Sequence, residues 1–372
     1  MRMQDLVDIS RRFGADPDYV VAGGGNTSWK DGNVLYVKGS GTSLAEIGVD
    51  GFVRMDRKAL AAIWSNRYPE EEDARESAVL ADLMTARMSG EENKRPSVET
   101  LLHDILPFTL VVHTHPALVN GLTCSAQGER AMIDLFGEEA LWIPLTNPGY
   151  ILAVVVKDAM EKYRKRTGKA CQIIFLQNHG IFVASDAPSG INALYSRVMK
   201  KIRTKVTREA DFSSVQSSFG ESEAFGAALR VLAAAYSGSP AYSVFRRDTE
   251  TAKLVADEAA FAPVSSAYTP DHIVYSGSDP LFVEEPAALP AAWKAFTEGK
   301  KRAPKLVALR GTGAFGLGGT EKAAQLAVEL FMDSAKVAAF TEPFGGPRFM
   351  TAEGIAFINN WEVERYRSKI ST

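Results

Sequence analysis

The chain has 372 residues, with 42 Lys and Arg against 45 Asp and Glu, a formal charge of −3, and a composition that is 46% hydrophobic and 23% charged. This make-up excludes a disordered or collagen-like chain, and near-neutrality gives no broad electrostatic reason to expect a nucleic-acid partner. There is no run of about 18 uncharged apolar residues and no charged-then-apolar leader, so no membrane partner and no secretory signal are expected, and the cytoplasm is the expected compartment.

In chain order, Leu6, Ile9 and Phe13 share one helical face that stops at Gly14. A loop-like stretch, Gly23-Gly24-Gly25-Asn26-Thr27-Ser28, leads to a strand at 34–37, followed by a second loop, Lys38-Gly39-Ser40-Gly41-Thr42-Ser43. Helices are expected over about 56–65 and 73–89 and in a shorter stretch after Pro96. Strands are expected at 109–113, 141–143, 171–177 and 181–184, and a helix over about 189–208 closes this half. The basic runs at 162–169 and 200–205 fall on helix-like segments and read as solvated faces. Residues 211–223 are poor in apolar side chains and rich in serine, as a linker would be, which sets the expected boundary near residue 218. Two domains follow, 1–217 and 218–372, the second with helices at 221–236 and 320–339 and strands at 272–275 and 305–309. Cys124 and Cys171 lack C-x-x-C spacing and read as buried small hydrophobes.

Only five histidines are present, so their placement is informative. In Leu110-Val111-Val112-His113-Thr114-His115-Pro116 the lead-in is strand-like, and residues two apart on a strand project from one face, so His113 and His115 can converge. Pro116 keeps His115 extended. A third histidine, His179, ends the apolar run 173–176 before Gly180, which would permit a tight turn. Three imidazoles with an open fourth position suit a catalytic Zn²⁺, whereas each ring alone could equally fill a hydrogen-bonded core position.

Arg95-Pro96-Ser97-Val98-Glu99-Thr100-Leu101-Leu102-His103 reads as a helix start with Ser97 near the cap and Glu99 in the first turn. His103, one helical turn on, is expected to orient or pack. The two glycine-rich loops offer amides and hydroxyls suited to an oxyanion, or simply form turns, and neither is a P-loop.

Taken in order, G-G-N-T-S, K-G-S-G-T, R-P-S-V-E, H-T-H-P and Q-N-H-G resemble the class II aldolase/adducin family over about residues 1–210. The likeness is greatest to the aldolase part of the bifunctional rhamnulose-1-phosphate aldolase/alcohol dehydrogenase proteins, and residues from about 220 onward are similar to the segment that follows it there, with no dehydrogenase domain expected. The resemblance implies a three-layer α/β/α domain with a mainly antiparallel sheet and a smaller α/β domain after it. It implies that His113, His115 and His179 hold zinc, that Glu99 transfers a proton, and that Asn26, Ser40, Gly41 and Ser97 bind a sugar phosphate. Another divalent transition metal would suit the same ligands. Where the fuculose-phosphate aldolases have two serines before the glutamate, this chain has Ser97-Val98.

The implied reaction is cleavage of a ketose 1-phosphate, such as rhamnulose 1-phosphate, to dihydroxyacetone phosphate and an aldehyde through an enediolate. A homo-oligomer, a tetramer in particular, is implied with it. A sugar-phosphate 4-epimerase, a dehydratase or decarboxylase of the same family, and an adducin-like interaction module are the alternative readings. Tyr150 is a candidate leaving-group acid or a packing tyrosine. Finally, Gly311-Thr312-Gly313-Ala314-Phe315-Gly316 follows a strand and has the G-x-G-x-x-G form, but Gly318 and Gly319 intervene before the next helix, which favours a glycine turn over a dinucleotide site.

Overall fold

The apolar face of the first helix, α1 (Met3–Gly14), buries Leu6, Val7, Ile9 and Phe13. The computed structural model describes residues 2–215 and 219–361. After α1 the chain forms β1 (Asn26–Asp31), β2 (Val34–Lys38), β3 (Phe52–Asp56), α2 (Arg57–Ile63), α3 (Glu72–Thr85), α4 (Thr100–Ile105) and β4 (Leu110–Thr114). It continues through α5 (Ala117–Thr123), α6 (Gly128–Phe136), β5 (Leu141–Ile143), α7 (Tyr150–Thr167), β6 (Ile173–Leu176), β7 (Gly180–Ser185) and α8 (Pro188–Arg203). Contacts divide the chain into two units, Met1–Thr123 with Gln127–Lys205, and Cys124–Ala126 with Val206–Thr372. The boundary expected near residue 218 lies outside the described residues.

In the first unit, seven strands form one sheet in the order β3-β2-β1-β4-β7-β6-β5. Every neighbouring pair is antiparallel except β5 with β6. β1 and β2 are joined by a two-residue turn in which Gly32 takes φ +55°. Every residue of β4, β6 and β7 is buried, as in a sheet covered on both faces. Side chains alternate accordingly. Val111, Ile174, Phe182 and Ala184 join one core with residues of α2, α3, α4 and α7, while Thr114 faces α8, its hydroxyl 2.8 Å from that of Tyr195. The unit is therefore a three-layer α/β/α domain with a mainly antiparallel sheet. His113 has the parity of Val111 and so belongs to the α4 side of the sheet.

Two local expectations change here. Asn26, Thr27 and Ser28 are buried residues of β1, not of a loop, because β2 and β4 take up their backbone groups on either side. The helix after Pro96 begins at Thr100, so Glu99 stands at its cap position and its carboxylate makes no cap bond. β3 and helices α5 and α6 were not anticipated. The basic residues Arg164, Lys165 and Arg166 occupy the last turn of α7, and Lys200, Lys201 and Arg203 that of α8, where cations complement the helix dipole. Cys124 and Cys171 are buried and not disulfide-bonded to each other.

The second unit contains α9 (Phe219–Ser237), β8 (Tyr242–Arg246), α10 (Thr249–Leu254), α11 (Glu258–Phe261), α12 (Pro270–Tyr275), β9 (Leu281–Val283) and α13 (Leu289–Lys300). β10 (Leu306–Leu309), β11 (Gly313–Gly318), α14 (Glu321–Thr341) and α15 (Ala352–Asn360) complete it. Its sheet has the order β8-β11-β10-β9, with only β9 and β10 parallel. One face packs Val307, Leu309, Phe315 and Leu317 against Phe225, Leu229, Leu289 and Trp293.

The strand expected at 272–275 is instead helix α12. Pro270 occupies its first turn, and all six side chains are buried, which hides any period in the sequence. The G-x-G-x-x-G stretch is a turn into an antiparallel strand: Leu309 pairs with Gly313, Gly311 takes φ +67°, and no helix follows the first strand to receive a pyrophosphate. Its last glycine serves packing, since a Cβ on Gly316 would lie 2.2 Å from the Ala324 carbonyl oxygen of α14. Among the described residues no helix is long and apolar enough to cross a membrane.

Candidate metal centre

His113 is the fourth residue of β4, paired across the sheet with Asn26 of β1 and Phe182 of β7. It is fully buried, and its ring stacks on Phe182 at 4.1 Å between centroids. Its Nδ1 lies 2.9 Å from the Ile181 carbonyl oxygen, an acceptor only, so Nδ1 carries the hydrogen and Nε2 is the nitrogen that faces the other rings. His115 follows the end of β4, and its Nε2 lies 2.9 Å from that of His113.

His179 ends the turn between β6 and β7. Asn178, not Gly180, takes the left-handed conformation there, at φ +54°, which asparagine tolerates better than most residues. Gly180 has a different role: a Cβ would lie 2.5 Å from the Thr114 carbonyl oxygen and 2.7 Å from Cδ2 of His115, so only glycine lets the two ligand-bearing segments close up. The ligand atoms of His113, His115 and His179 all fall within 4.8 Å of one another.

Glu99 completes the cluster. Its Oε1 lies 3.4 Å from Nε2 of His113 and 3.5 Å from Nε2 of His179, is buried, and has no hydrogen-bond partner among the described residues. Its Oε2 accepts a 2.6 Å bond from Nδ2 of Asn26. A buried carboxylate oxygen left unsatisfied is costly. A divalent cation would relieve it, and the donor set of three imidazoles and one carboxylate suits such an ion.

The remaining expected residues gather beside this point. Asn26 Nδ2 also lies 3.3 Å from Ser97 Oγ, which accepts a 3.2 Å bond from the Glu99 amide. The Lys38–Gly41 loop is stitched to the same segment: the Ser40 amide donates to the Arg95 carbonyl and the Ser97 amide to that of Lys38. Ser40 is half-buried and Gly41 exposed at φ +84°, so this rim is open to solvent while Asn26, Ser97 and Glu99 lie beneath it.

His103 of α4 was expected to orient or pack, and it does so through two buried polar partners. Its Nδ1 is 2.7 Å from Ser28 Oγ, and its Nε2 is in short contact with Asn26 Oδ1. Burial, with the nearby charges of His113 and Lys30, holds its pKa well below the ordinary imidazole range. Ser28 was missed as part of this group because reading 23–28 as a loop concealed that residues 26 and 28 share a strand face. Tyr150 packs by its ring against Tyr68 and Trp64, at 5.0 and 5.9 Å between centroids, and its amide donates to Glu76.

The family model for the Class II Aldolase and Adducin N-terminal domain matches residues 4–190, half of the chain. The chain belongs to this family. A curated relative, the Bacillus subtilis protein called uncharacterized oxidoreductase YuxG, is 28% identical over 189 residues, which cover 48% of this chain and 26% of the relative. The chain thus spans about a quarter of that relative's length. Among solved structures, the N-terminal class II aldolase domain of a conserved protein from Thermoplasma acidophilum is 27% identical with a TM-score of 0.46, covering 55% of this chain and 93% of that one. An L-fuculose 1-phosphate aldolase is 21% identical with a TM-score of 0.37, covering 54% of this chain and 83% of the other. The class II aldolase domain of the present chain is its first unit, the one that carries the histidine cluster.

Proposed function

We propose that this class II aldolase family member is a zinc-dependent aldolase that cleaves a ketose 1-phosphate, such as rhamnulose 1-phosphate, into dihydroxyacetone phosphate and an aldehyde. The observation that carries the reading is the carboxylate of Glu99, one oxygen held by Asn26 and the other, unsatisfied, facing three imidazoles. A metal ion bound by His113, His115 and His179 would supply Lewis-acid stabilisation of negative charge on substrate oxygens, contributing several kcal/mol.

The protein's own groups do the rest. Breaking the C3–C4 bond releases the proton of the C4 hydroxyl as that carbon becomes the aldehyde carbonyl, and leaves an electron pair on C3, which must gain a proton to give dihydroxyacetone phosphate; Glu99 in its carboxylic-acid form is the group positioned to deliver that proton and, as the carboxylate in the reverse direction, to remove it. Ser97 and Asn26, with the Ser40 hydroxyl and the Gly41 amide at the rim, would form the polar wall on which the phosphate rests. Holding that far end fixes the reacting carbons against the carboxylate, so that remote binding energy serves orientation.

The test is release of dihydroxyacetone phosphate from a panel of ketose 1-phosphates by the zinc-loaded chain, with solvent hydrogen exchange at its C3 as a second readout. Glu99→Gln should retain metal and lose exchange by about 10²- to 10⁴-fold. Interconversion of pentulose 5-phosphates without any release of dihydroxyacetone phosphate would replace the aldolase reading with the epimerase one.

A further inference from the structure

We propose that His103 is a positioning residue that acts through Asn26 to aim the Glu99 carboxylate at the histidine cluster. The inference rests on Glu99 as the proton carrier, and it follows from the donor and acceptor capacities along a buried chain of contacts: Ser28 Oγ, His103 Nδ1, His103 Nε2, Asn26 Oδ1, Asn26 Nδ2, Glu99 Oε2.

Each link determines the next. The amide nitrogen of Asn26, not its oxygen, faces Glu99 and donates to Oε2. That turns Oδ1 toward His103, and because an amide oxygen only accepts, Nε2 of His103 must carry the hydrogen. A neutral ring with its hydrogen on Nε2 has a lone pair on Nδ1, which takes the hydroxyl hydrogen of Ser28. All three bonds therefore point one way, toward Glu99. The fold makes the arrangement possible because Asn26 and Ser28 are two apart on β1, on the face toward α4, and one fully buried imidazole reaches both.

Without the ring N–H, only the bonds of Nδ2 to Glu99 and Ser97 hold the Asn26 amide, and if it rotates its oxygen opposes the carboxylate, turning Oε1 away from the three histidines. A purely packing role would rest instead on the edge contact of His103 with Phe182, 5.4 Å between centroids, which a phenyl ring also makes. The two roles separate on two variants of the full, zinc-loaded chain. His103→Phe keeps an aromatic ring and lacks the donor, whereas His103→Gln gives up the ring and offers an N–H at about the reach of Nε2.

The expected result for His103→Phe is a kcat for release of dihydroxyacetone phosphate about 10- to 100-fold lower, the size usual for an outer-shell partner, with KM little changed and metal content retained. His103→Gln should recover most of it. Crystal structures of the two variants should show the Asn26 amide turned away from Glu99 in the first and retained in the second. Equal losses in both, or an Asn26–Glu99 bond unchanged in His103→Phe, would overturn the proposal. If the wild-type chain releases no dihydroxyacetone phosphate, the aldolase reading fails by itself and the crystal structures still decide this one. Should neither variant fold, ¹⁵N-histidine spectra of the wild-type chain decide it: a neutral ring with hydrogen on Nε2 is expected, and a hydrogen on Nδ1 would overturn the assignment.

Discussion

The two units surround their buried histidines with different chemistry. In the seven-stranded sheet, His113 and His179 direct Nε2 atoms toward one another and toward the unsatisfied Oε1 of Glu99, with the far nitrogen of His113 anchored on a backbone carbonyl. In the second unit, His272 is equally buried but faces a single carboxylate: Nδ1 lies 2.7 Å from Thr269 Oγ1 and Nε2 lies 3.2 Å from Asp333 Oδ2. The first arrangement gathers three imidazoles and a carboxylate at one place, a donor set that suits a cation. The second brings one imidazole to one carboxylate and offers no converging set. Burial of histidine is therefore uninformative by itself, and the number of ligating groups that converge with it decides.

Four measurements can break or sharpen this contrast. The largest effect is expected from the metal: zinc at a thousandfold excess over its dissociation constant should add about 4 kcal/mol to the unfolding free energy of the wild-type chain, and almost nothing to His113→Ala. Urea melts with zinc and with a chelator measure it, and an equal gain in the variant would move the binding site elsewhere. Next is Gly180→Ala, whose Cβ would press on Thr114 and His115; zinc affinity should fall roughly 10- to 100-fold, read by competition with a chromophoric chelator.

Asp333→Ala addresses the other unit. It leaves His272 without its acidic partner and should cost about 1–3 kcal/mol of unfolding free energy, read from urea melts, while zinc affinity stays unchanged, and loss of zinc binding would erase the distinction drawn here. Smallest is Gly311→Ala. The turn has open space around it but φ is +67°, so the cost should be about 1 kcal/mol, with no change in metal binding.

The parts of the site legible in the sequence were those whose period survived burial. Leu110 to His115 alternates after an apolar lead-in, so its two histidines could be placed on one strand end, and the apolar run before His179 marked another. β1 was not legible because its buried residues are Asn26, Thr27 and Ser28, which resemble a turn unless one knows that β2, β4, α1 and α4 supply their partners. Gly180 was assigned to the turn on its local conformational freedom, whereas the constraint on it comes from Thr114 and His115, distant in sequence. The run His272-Ile273-Val274-Tyr275 has strand composition, but Pro270 starts a helix there and total burial removes the alternation that would have told the two apart. Gly311, Gly313 and Gly316 have the spacing of a dinucleotide-binding turn, yet Gly316 serves the close approach of α14 and Gly313 that of β8.

Because the imidazoles come from the end of β4 and from the turn that enters β7, two strands paired in antiparallel register, a coordination sphere built from them would have no local precursor. An early, partly collapsed chain could offer His113 and His115 but not the third ring, so metal uptake is expected to be a late event that follows strand pairing. A nascent chain still short of Gly180 would emerge unmetallated, and loading would report completion of the central sheet.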